Sequence, residues 1–563
     1  MSSLQIAVAD WLAQDPDTAT VSELNHLLAA AENSQDAAAE LADAFAGSLQ
    51  FGTAGLRGKL GPGPNRMNRV TVLRAAAGLG QYLLAQGNAG ANIVIGYDAR
   101  HNSQVFAQDS AEVLAGLGFK PLLFPHVVPT PVLAFAIRDL DACAGIMVTA
   151  SHNPAQDNGY KVYLGDGRQI VPPSDVDIAR YIAHVSDVRQ LPLSGDISAV
   201  DQSVLDRYVH ATSQLVVTGP VARADLESIT CVYTAMHGVG WKAFSAVVSA
   251  AGFAAPAAVL LQRDPDPDFP TVAFPNPEEP GALDLAIKQA SESGADLIVA
   301  NDPDADRLAI AVTDRQQQWT MLRGDQVGVL LGWWVIKRQQ LLGKPLAGTF
   351  ANSIVSSTLL ADIARSAGLD YAHTLTGFKW VSRVPNLVFG YEEALGYCVD
   401  PQQVSDKDGI SAAALFLELF AWLKGSDQTV WDVLDELAQA YGLHETAQVS
   451  VRIADVNRVK SVMAKLRDTP PTNFGEFTVA KFVDLALGTE LPPTDGVLIE
   501  LASKDGVQWS RVIIRPSGTE PKIKCYLEAV STNVDLTVAR VAVARTLHTL
   551  SQIAEPLLTG VSQ

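Results

Sequence analysis

Three carboxylates at a spacing of two residues lie between two apolar runs. Asp302, Asp304 and Asp306 belong to the segment NDPDADR, which separates the runs 297–300 and 308–312. Carboxylate oxygens are the ligands that Mg²⁺ prefers, usually together with a phosphate oxygen. An EF-hand is excluded, because the sixth loop position is not glycine and the twelfth is not glutamate. Carboxylates between buried strands repel one another unless a cation neutralises them, so the segment predicts a metal loop.

A serine follows another apolar run, in the stretch 145–161, GIMVTASHNPAQDNGYK. A serine hydroxyl is a weak nucleophile unless a base or a charge activates it. His152 is adjacent to Ser151, but neighbouring side chains of an extended chain point to opposite sides, which argues against a hydrolase-type pair. There is also no G-x-S-x-G elbow. From these residues alone, Ser151 is either a turn residue or a phosphate carrier, and a carrier would need a metal and a cation such as Lys161.

An arginine leads from a predicted strand into a loop of small polar residues, RPSGTEPK. The guanidinium of Arg515 offers paired donors that match phosphate oxygens. Ser517, Thr519 and the backbone N–H groups near Gly518 can complete an anion-binding nest. The stretch therefore predicts a phosphate-binding loop.

Three further stretches could contact a substrate. Glu392 and Glu393, in GYEEALG, could accept hydrogen bonds from sugar hydroxyls, although an exposed acidic turn explains them equally well. Gly377 and Lys379, in TGFKW, place a cation between aromatic residues on another loop. Arg57 lies among glycines in GTAGLRG, which lacks the Lys-Ser/Thr ending of a P-loop. The similar-looking stretch DPDPD, at 264–268, has no strand before it and is interpreted as a solvated, proline-rich loop.

Strand-like runs and Ala/Leu-rich segments alternate along the chain, which is typical of α/β domains with mostly parallel sheets. The predicted strands are 93–97, 121–124, 145–148, 230–233, 297–300, 308–312, 348–351, 387–390 and 511–514. The predicted helices between them include 107–117, 283–291 and 410–423. In such sheets, ligands bind in loops at the carboxyl ends of the strands, which is where the candidate residues lie.

The segmentation predicts three α/β units followed by a smaller α+β domain. The expected boundaries are a helical N-terminal arm at 1–50, a serine-loop domain at 51–205, a metal-loop domain at 206–322, a sugar-loop domain at 323–445 and a phosphate-loop domain at 446–563.

Composition limits the class of partner. The net charge of −20 in 563 residues argues against binding to a nucleic acid backbone. The 4 cysteines are far apart and form neither a disulfide framework nor a zinc motif. The first residues have no basic segment before an apolar run, and the most apolar window, 327–336, is shorter than the roughly 20 residues that a bilayer requires. We therefore expect a cytoplasmic protein without membrane attachment.

The stretches GTAGLRG, TASHNPAQDNGYK, NDPDADR, GYEEALG and RPSGTEP, in this order, resemble the α-D-phosphohexomutase superfamily. GFKW, MHGVG and FPNPEEP are most similar to the phosphoglucomutase branch that includes phosphopentomutases. The resemblance implies a heart-shaped, four-domain architecture with three mixed α/β domains and a C-terminal α+β domain. It also implies that one loop from each domain meets the others in a central cleft.

The resemblance further implies residue roles. Ser151 would be carried as phosphoserine, and Mg²⁺ would be bound by the serine phosphate and the three carboxylates of the metal loop. Arg57 and Lys161 would act near the transferring phosphoryl group, with Lys161 as general acid/base if the site lowers its pKa. His152 would support the catalytic group. The implied substrate-binding residues are Arg307, Gly377, Lys379, Glu392, Glu393, Arg515, Ser517, Gly518 and Thr519.

The implied activity is a mutase that interconverts hexose 1-phosphate and hexose 6-phosphate, with glucose as the first candidate. Phosphoserine would exchange its phosphoryl group with the substrate through glucose 1,6-bisphosphate, which also acts as activator. Ala394 replaces a serine that many hexose mutases have, so phosphomannomutase and phosphopentomutase activities remain open. The expected partner is a small sugar phosphate, and the expected assembly is a monomer or homodimer. Two other classes remain open: a sugar phosphatase with Asp302 as nucleophile, and a non-catalytic sugar-phosphate-binding protein.

Overall fold

The computed structural model describes residues 3–53, 55–453, 456–516 and 522–559. The chain forms two compact units. The first contains Met1–Leu322 and Gly396–Glu418, and the second contains Arg323–Leu395 and Leu419–Gln563.

Three short helices precede the first sheet. They are α1 (Ser3–Gln14), α2 (Thr18–Ala30) and α3 (Gln35–Ala44). The side chains of Asp17 and Ser34 accept hydrogen bonds from the first-turn N–H groups of α2 and α3, which is the usual way to begin a helix. Trp11 and Leu24 are buried in a cluster with Leu73 of the following helix, so these helices cover one side of the first sheet's domain.

The first sheet carries the serine loop and both of its candidate cationic partners. Its strands are β1 (Leu56–Lys59), β2 (Asn92–Tyr97), β3 (Lys120–Leu123), β4 (Ala144–Val148), β5 (Asp157–Leu164) and β6 (Ser198–Ala199), in the order β1-β5-β4-β2-β3-β6. Its helices are α4 (Arg69–Ala85), α5 (Ser103–Gly116), α6 (Thr130–Asp139) and α7 (Ser174–Ala183).

The sheet is mixed, with a parallel part and an antiparallel edge. Strands β2, β3, β4 and β6 are parallel, whereas β5 runs antiparallel to β4, and β1 antiparallel to β5. Because of this reversal, Lys161 lies opposite Met147 near the end of β4 in the strand register, and Arg57 lies opposite Gly159. Both cations are thereby brought close to the loop that follows β4.

The second sheet carries the metal loop. Its strands are β7 (Cys231–Thr234), β8 (Ala257–Ala258), β9 (Leu297–Ala300), β10 (Ala309–Thr313) and β11 (Trp319–Met321), in the order β11-β10-β9-β7-β8. Its helices are α8 (Ser203–Val217), α9 (Arg223–Glu227), α10 (Gly240–Ala251), α11 (Leu260–Arg263) and α12 (Asp284–Ser293). Strands β9 and β10 pair antiparallel, so the carboxylates lie in the turn between two buried strands.

The third sheet carries the candidate sugar loop. Its elements are α13 (Gly324–Leu341), β12 (Thr349–Ser353), α14 (Leu359–Ser366), β13 (Asp370–Thr374), α15 (Phe378–Val381) and β14 (Leu387–Glu392). Strands β13, β12 and β14 are neighbours and parallel. The chain continues through β15 (Gly396–Cys398), α16 (Gly409–Gly425) and α17 (Val430–Tyr441).

The C-terminal sheet is antiparallel, which confirms the predicted α+β class of the last domain. Its strands are β16 (Leu443–Arg452), β17 (Asn473–Phe474), β18 (Phe477–Asp484), β19 (Val497–Leu501), β20 (Trp509–Pro516) and β21 (Lys522–Ser531), in the order β16-β21-β20-β19-β18-β17. Helices α18 (Val456–Asp468) and α19 (Leu536–Thr559) accompany the sheet. Val512, Cys525 and Leu550 are part of its buried core.

In the described ranges, no single helix has both the length and the apolarity that a membrane span needs, and α16 with α17 meets these conditions only as a pair bent by 91°.

Candidate functional site

Ser151 lies in a strained turn directly after β4. Its φ is 52°, in the left-handed region that residues other than glycine rarely adopt. The side chain of Thr149 accepts the N–H of Ser151 at 2.8 Å. The Ser151 hydroxyl donates to Asp302 Oδ2 at 2.7 Å and is almost inaccessible to solvent. The serine and the metal loop are therefore in direct contact, although 151 residues separate them in sequence.

The assumption of an extended chain at Ser151 is wrong. Because the turn reverses the chain, His152 Nδ1 lies 3.2 Å from Ser151 Oγ instead of pointing away from it. Burial, together with the cations of Arg307 and Arg57, lowers the pKa of His152 well below its usual value. Burial and the neighbouring cations therefore favour the neutral form of the ring, which lies against the serine hydroxyl.

The three carboxylates converge as their spacing predicts. Asp302, Asp304 and Asp306 each place a carboxylate oxygen within 4.8 Å of the others, and all three side chains are buried. Burial and the two neighbouring carboxylates raise the pKa of Asp302. The carboxylates therefore repel one another in a setting from which water is excluded.

The donor set fits a hard divalent cation. Asp304 Oδ1 and Asp306 Oδ1 are buried and have no hydrogen-bond partner. A buried carboxylate oxygen without a donor is costly unless a cation binds it. Oxygen-only ligands suit Mg²⁺, which also keeps places for water or a phosphate oxygen. These residues could therefore hold the magnesium ion that the sequence suggested.

Lys161 neutralises part of this charge. Its Nζ lies 2.6 Å from Asp304 Oδ2 and 2.8 Å from Asp306 Oδ2. Burial lowers the pKa of Lys161, but the two carboxylates more than offset that effect and raise the pKa above its usual value. These two carboxylates, the anions nearest to Lys161 Nζ, therefore favour the charged form of the lysine.

Two residues of this cluster escaped the sequence interpretation. Lys407 Nζ lies 3.1 Å from Asp306 Oδ2, and the Thr130 hydroxyl donates to Asp304 Oδ2 at 2.6 Å. The charged run SDKD, immediately before α16, could have indicated Lys407 as a site residue. Thr130 had no comparable signal, since it lies at the first turn of an apolar helix.

Arg57 and Arg307 flank the serine turn and the metal loop. The Arg57 guanidinium donates to Asn153 Oδ1 at 3.2 Å. The backbone N–H of Arg307 donates to Asp302 Oδ1 at 3.0 Å, and its Nε lies 3.9 Å from Asp302 Oδ2. All the predicted site residues of the first unit thus belong to one group.

In the second unit, the adjacent residues Glu392 and Glu393 have different hydrogen-bond partners. Glu392 Oε1 accepts the N–H of Gly377 at 2.6 Å, which joins the two loops predicted to contact substrate and places Lys379 next to them. Glu393 Oε2 accepts the hydroxyls of Ser353 and Ser356 at 2.9 and 2.8 Å. Glu393 is therefore bound to the loop after β12.

The same loop is held by the C-terminal sheet. The Arg511 guanidinium donates to the Ile354 and Ser356 carbonyl oxygens at 2.9 and 2.5 Å, and it pairs with Glu528 at 2.8 Å. Arg515 lies further along the same strand as Arg511. Its predicted companions Ser517, Gly518 and Thr519 lie outside the described residues.

The Arg511–Glu528 pair gives a testable pH dependence. Burial raises the pKa of Glu528, but Arg511 and His444 more than offset this and lower it to about 2. An unfolded glutamate titrates near pH ~4.3, so the stabilisation is complete above that pH and is lost as the pH falls towards 2. At pH 7, Glu528→Gln is expected to lower the free energy of opening of β20 and β21 by about 3–5 kcal/mol, because Arg511 stays buried without its counterion. Hydrogen exchange of the amides of these strands measures the change.

Glu476→Gln is the matched control for this prediction. Glu476 belongs to the same domain and pairs with Lys504 at 2.9 Å, but on the surface, so its loss is expected to cost less than about 1 kcal/mol. The difference between the Glu528 variant and the wild type should also shrink as the pH falls from about 5 to 3. Equal exchange rates for the two variants at pH 7 would contradict the prediction.

Comparison with known families gives matches along most of the chain. Four domain models described as phosphoglucomutase/phosphomannomutase match: the α/β/α domains I, II and III at residues 48–189, 206–316 and 323–441, and the C-terminal domain at 481–544.

Individual proteins show the same similarity. A Haemophilus influenzae protein named "Probable phosphomannomutase" is 48% identical, over 82% of this chain and 93% of its own. A Schizosaccharomyces pombe protein named "Probable phosphoribomutase" is 36% identical, over 93% of each chain. The crystal structure of a Thermus thermophilus protein titled "putative phosphomannomutase" has a TM-score of 0.66 at 23% identity, covering 89% of this chain and 99% of its own, and therefore shares the fold.

Proposed function

Because the chain belongs to the α-D-phosphohexomutase superfamily, we propose that it interconverts the 1-phosphate and the 6-phosphate of a hexose, with glucose as the preferred sugar. The observation that carries this proposal is the buried contact between Ser151 Oγ and the carboxylate of Asp302. Phosphoryl transfer needs a positioned oxygen and concentrated positive charge more than it needs covalent chemistry by the protein. The group around Ser151 supplies both.

We assign the role of phosphate carrier to Ser151. In the first half-reaction, the bond between phosphorus and Ser151 Oγ breaks, and a bond forms to the free hydroxyl oxygen of a hexose 1-phosphate. The product is the 1,6-bisphosphate. After this intermediate turns around, its other phosphoryl group returns to Ser151 Oγ, and hexose 6-phosphate leaves. Each half-reaction conserves phosphate, so the serine ends as it began.

The proton moves in the opposite direction to the phosphoryl group. The sugar hydroxyl loses a proton, and Ser151 Oγ must gain one when its phosphate leaves. We assign this exchange to Lys161, whose Nζ lies among the carboxylates that contact the serine. Because the neighbouring carboxylates favour its charged form, we assign Lys161 as the acid that protonates Ser151 Oγ. Its neutral amine would then accept the proton of the sugar hydroxyl. When bound, Mg²⁺ would supply positive charge to the phosphoryl oxygens.

The remaining residues would orient the substrate. Arg57 and Arg307 flank the serine turn and can meet phosphoryl oxygens with guanidinium donors. Glu392, fixed by the N–H of Gly377, would accept hydrogen bonds from ring hydroxyls, with Lys379 beside it. Arg515 would grip the phosphate that is not reacting.

The choice of sugar depends on the hydroxyl contacts of the loop that carries Glu392. The two similar proteins named above suggest mannose and ribose phosphates as alternative substrates. Ala394 removes a hydroxyl that could contact the sugar, which reduces the discrimination that a hydrogen bond provides.

A panel of 1-phosphates decides between these sugars. The substrates are glucose, mannose, ribose and deoxyribose 1-phosphate, each assayed with Mg²⁺ and a trace of the matching bisphosphate. We expect the highest kcat/KM for glucose 1-phosphate. A tenfold higher value for mannose or for a pentose would overturn the glucose assignment but leave the mutase assignment in place.

A further inference from the structure

Arg100 lies behind the turn that carries Ser151, and we propose that it is a positioning residue for this serine, held in place by Phe269 of the second sheet's domain. The inference rests on the proposed role of Ser151 in phosphoryl transfer. Arg100 is not predicted to touch the substrate, since its side chain is buried beneath the loop. It would act by fixing the position of Ser151 Oγ relative to the metal loop.

The guanidinium of Arg100 binds the backbone of the whole serine loop. Its Nη2 donates to the carbonyl oxygens of Ser151 at 2.7 Å and Asn153 at 2.5 Å. Its Nη1 donates to the carbonyl oxygens of Pro154 at 2.7 Å and Asp157 at 3.1 Å. A rigid planar fork thus satisfies three carbonyl groups of the loop and that of the first residue of β5, which a flexible lysine could not do.

The fork is itself fixed. Asp98 Oδ2 lies 3.4 Å from Arg100 Nε, and Asp98 Oδ1 accepts both the N–H of Arg100 at 3.0 Å and the hydroxyl of Ser103 at 2.7 Å. Asp98 is buried, as Arg100 is, so the pair has little freedom to exchange its partners with water. The position of the loop therefore follows the end of β2, which lies next to β4 in the sheet.

The hydrogen bonds from Arg100 matter because the backbone at Ser151 is strained. A residue other than glycine in the left-handed region costs on the order of 1–3 kcal/mol, and it persists only where its surroundings enforce it. Thr149 binds the N–H of Ser151, and Arg100 binds its carbonyl oxygen. Loss of the second contact would let the turn relax and would move Oγ away from Asp302.

A loop of the second sheet's domain packs against Arg100. The ring of Phe269 lies 4.9 Å from the guanidinium carbon of Arg100, within the range of a cation–π contact, and is buried. The carboxylate oxygen Oδ1 of the neighbouring Asp268 lies within hydrogen-bond distance of His101 Nε2, at 2.7 Å. Asp264 and Asp268 of the DPDPD stretch are exposed, as a solvated loop predicts, but the next residue, Phe269, is buried and packs on the guanidinium of Arg100.

The test is Arg100→Lys, which keeps the charge but loses the fork. We expect kcat per folded, phosphorylated molecule to fall about 10²-fold, the effect typical of a displaced reacting group, with KM for the sugar phosphate changed less than twofold. Single-turnover transfer from phospho-Ser151 to the sugar phosphate should slow by the same factor. Phe269→Leu should slow it about fivefold. Circular dichroism and thermal melting report the folded fraction.

Arg180→Lys is the matched control. Arg180 also pairs with an aspartate, Asp177 at 3.1 Å, and lies over an aromatic ring, Tyr181 at 5.6 Å, but it is on the surface. A kcat for Arg100→Lys equal to that of this control, or a loss explained entirely by the unfolded fraction, would overturn the inference.

If Arg100→Lys does not fold, the Phe269→Leu variant decides the question. Slowed phosphoryl transfer supports the inference, and an unchanged rate overturns it. Failure of the mutase proposal is distinct, since the wild type would then show neither turnover nor phosphoserine.

Discussion

Ser151→Ala is expected to abolish the conversion of glucose 1-phosphate, lowering turnover by at least about 10⁴-fold. The variant removes the only oxygen that the proposed mechanism uses to hold the phosphoryl group between its two transfers. The fold should survive, because alanine removes one buried hydroxyl and leaves the metal loop, Lys161 and Arg100 in place. A coupled assay that reduces NADP⁺ as glucose 6-phosphate forms measures the change.

The control for this variant is Ser110→Ala. Ser110 is a buried serine of the same domain whose hydroxyl donates to a backbone carbonyl within α5 at 2.7 Å. It should retain nearly full turnover. A phosphatase that uses Asp302 as its nucleophile would survive the loss of Ser151 and would release inorganic phosphate. Near-normal turnover in Ser151→Ala would therefore contradict the mutase mechanism.

The second large effect is expected at the metal loop. Asp304→Asn should raise the Mg²⁺ concentration needed for half-maximal activity by at least about 10²-fold, because a neutral amide replaces one of three charged ligands. Asp304 Oδ1 has no protein partner and is therefore free to bind a cation. Titration calorimetry with Mg²⁺ measures binding directly, without reference to activity. A chelator should silence the wild type, and added Mg²⁺ should restore it.

Asp264→Asn serves as the control for the metal loop. Asp264 belongs to an aspartate-rich stretch of similar appearance, but it lies on the surface and pairs with Arg263 at 2.7 Å. Its replacement should leave both Mg²⁺ binding and activity unchanged. Full activity of the wild type in excess chelator, or equal Mg²⁺ affinity in the two variants, would exclude the assigned metal site.

Local pattern was enough to place the elements that were predicted and the metal loop. The predicted strands and helices overlap elements of the structure, and the spacing of Asp302, Asp304 and Asp306 correctly predicted that they converge. Both successes rest on short-range information. A buried strand is visible as an apolar run, and carboxylates two residues apart in one loop cannot lie far from each other.

The contacts that were missed depend on long-range pairing. Lys161 was among the predicted site residues, but its ion pairs with Asp304 and Asp306 were not predicted. They follow from the antiparallel register of β5, a strand direction that the segment itself does not indicate. The same holds for Lys407, which reaches Asp306 from 101 residues away, and for the Arg100 fork. The left-handed turn at Ser151 was also missed, because serine rarely adopts it without tertiary support.

Mass spectrometry of the peptide that contains Ser151 tests the central claim most directly. The protein is incubated with Mg²⁺ and ¹⁸O-labelled glucose 1,6-bisphosphate, quenched, digested and analysed, and a second sample is chased with unlabelled glucose 1-phosphate before the quench. The mechanism predicts labelled phosphate on Ser151 that disappears during the chase at a rate no slower than kcat. Active enzyme with no phosphate on Ser151, or with a labelled phosphate that survives the chase, would contradict it.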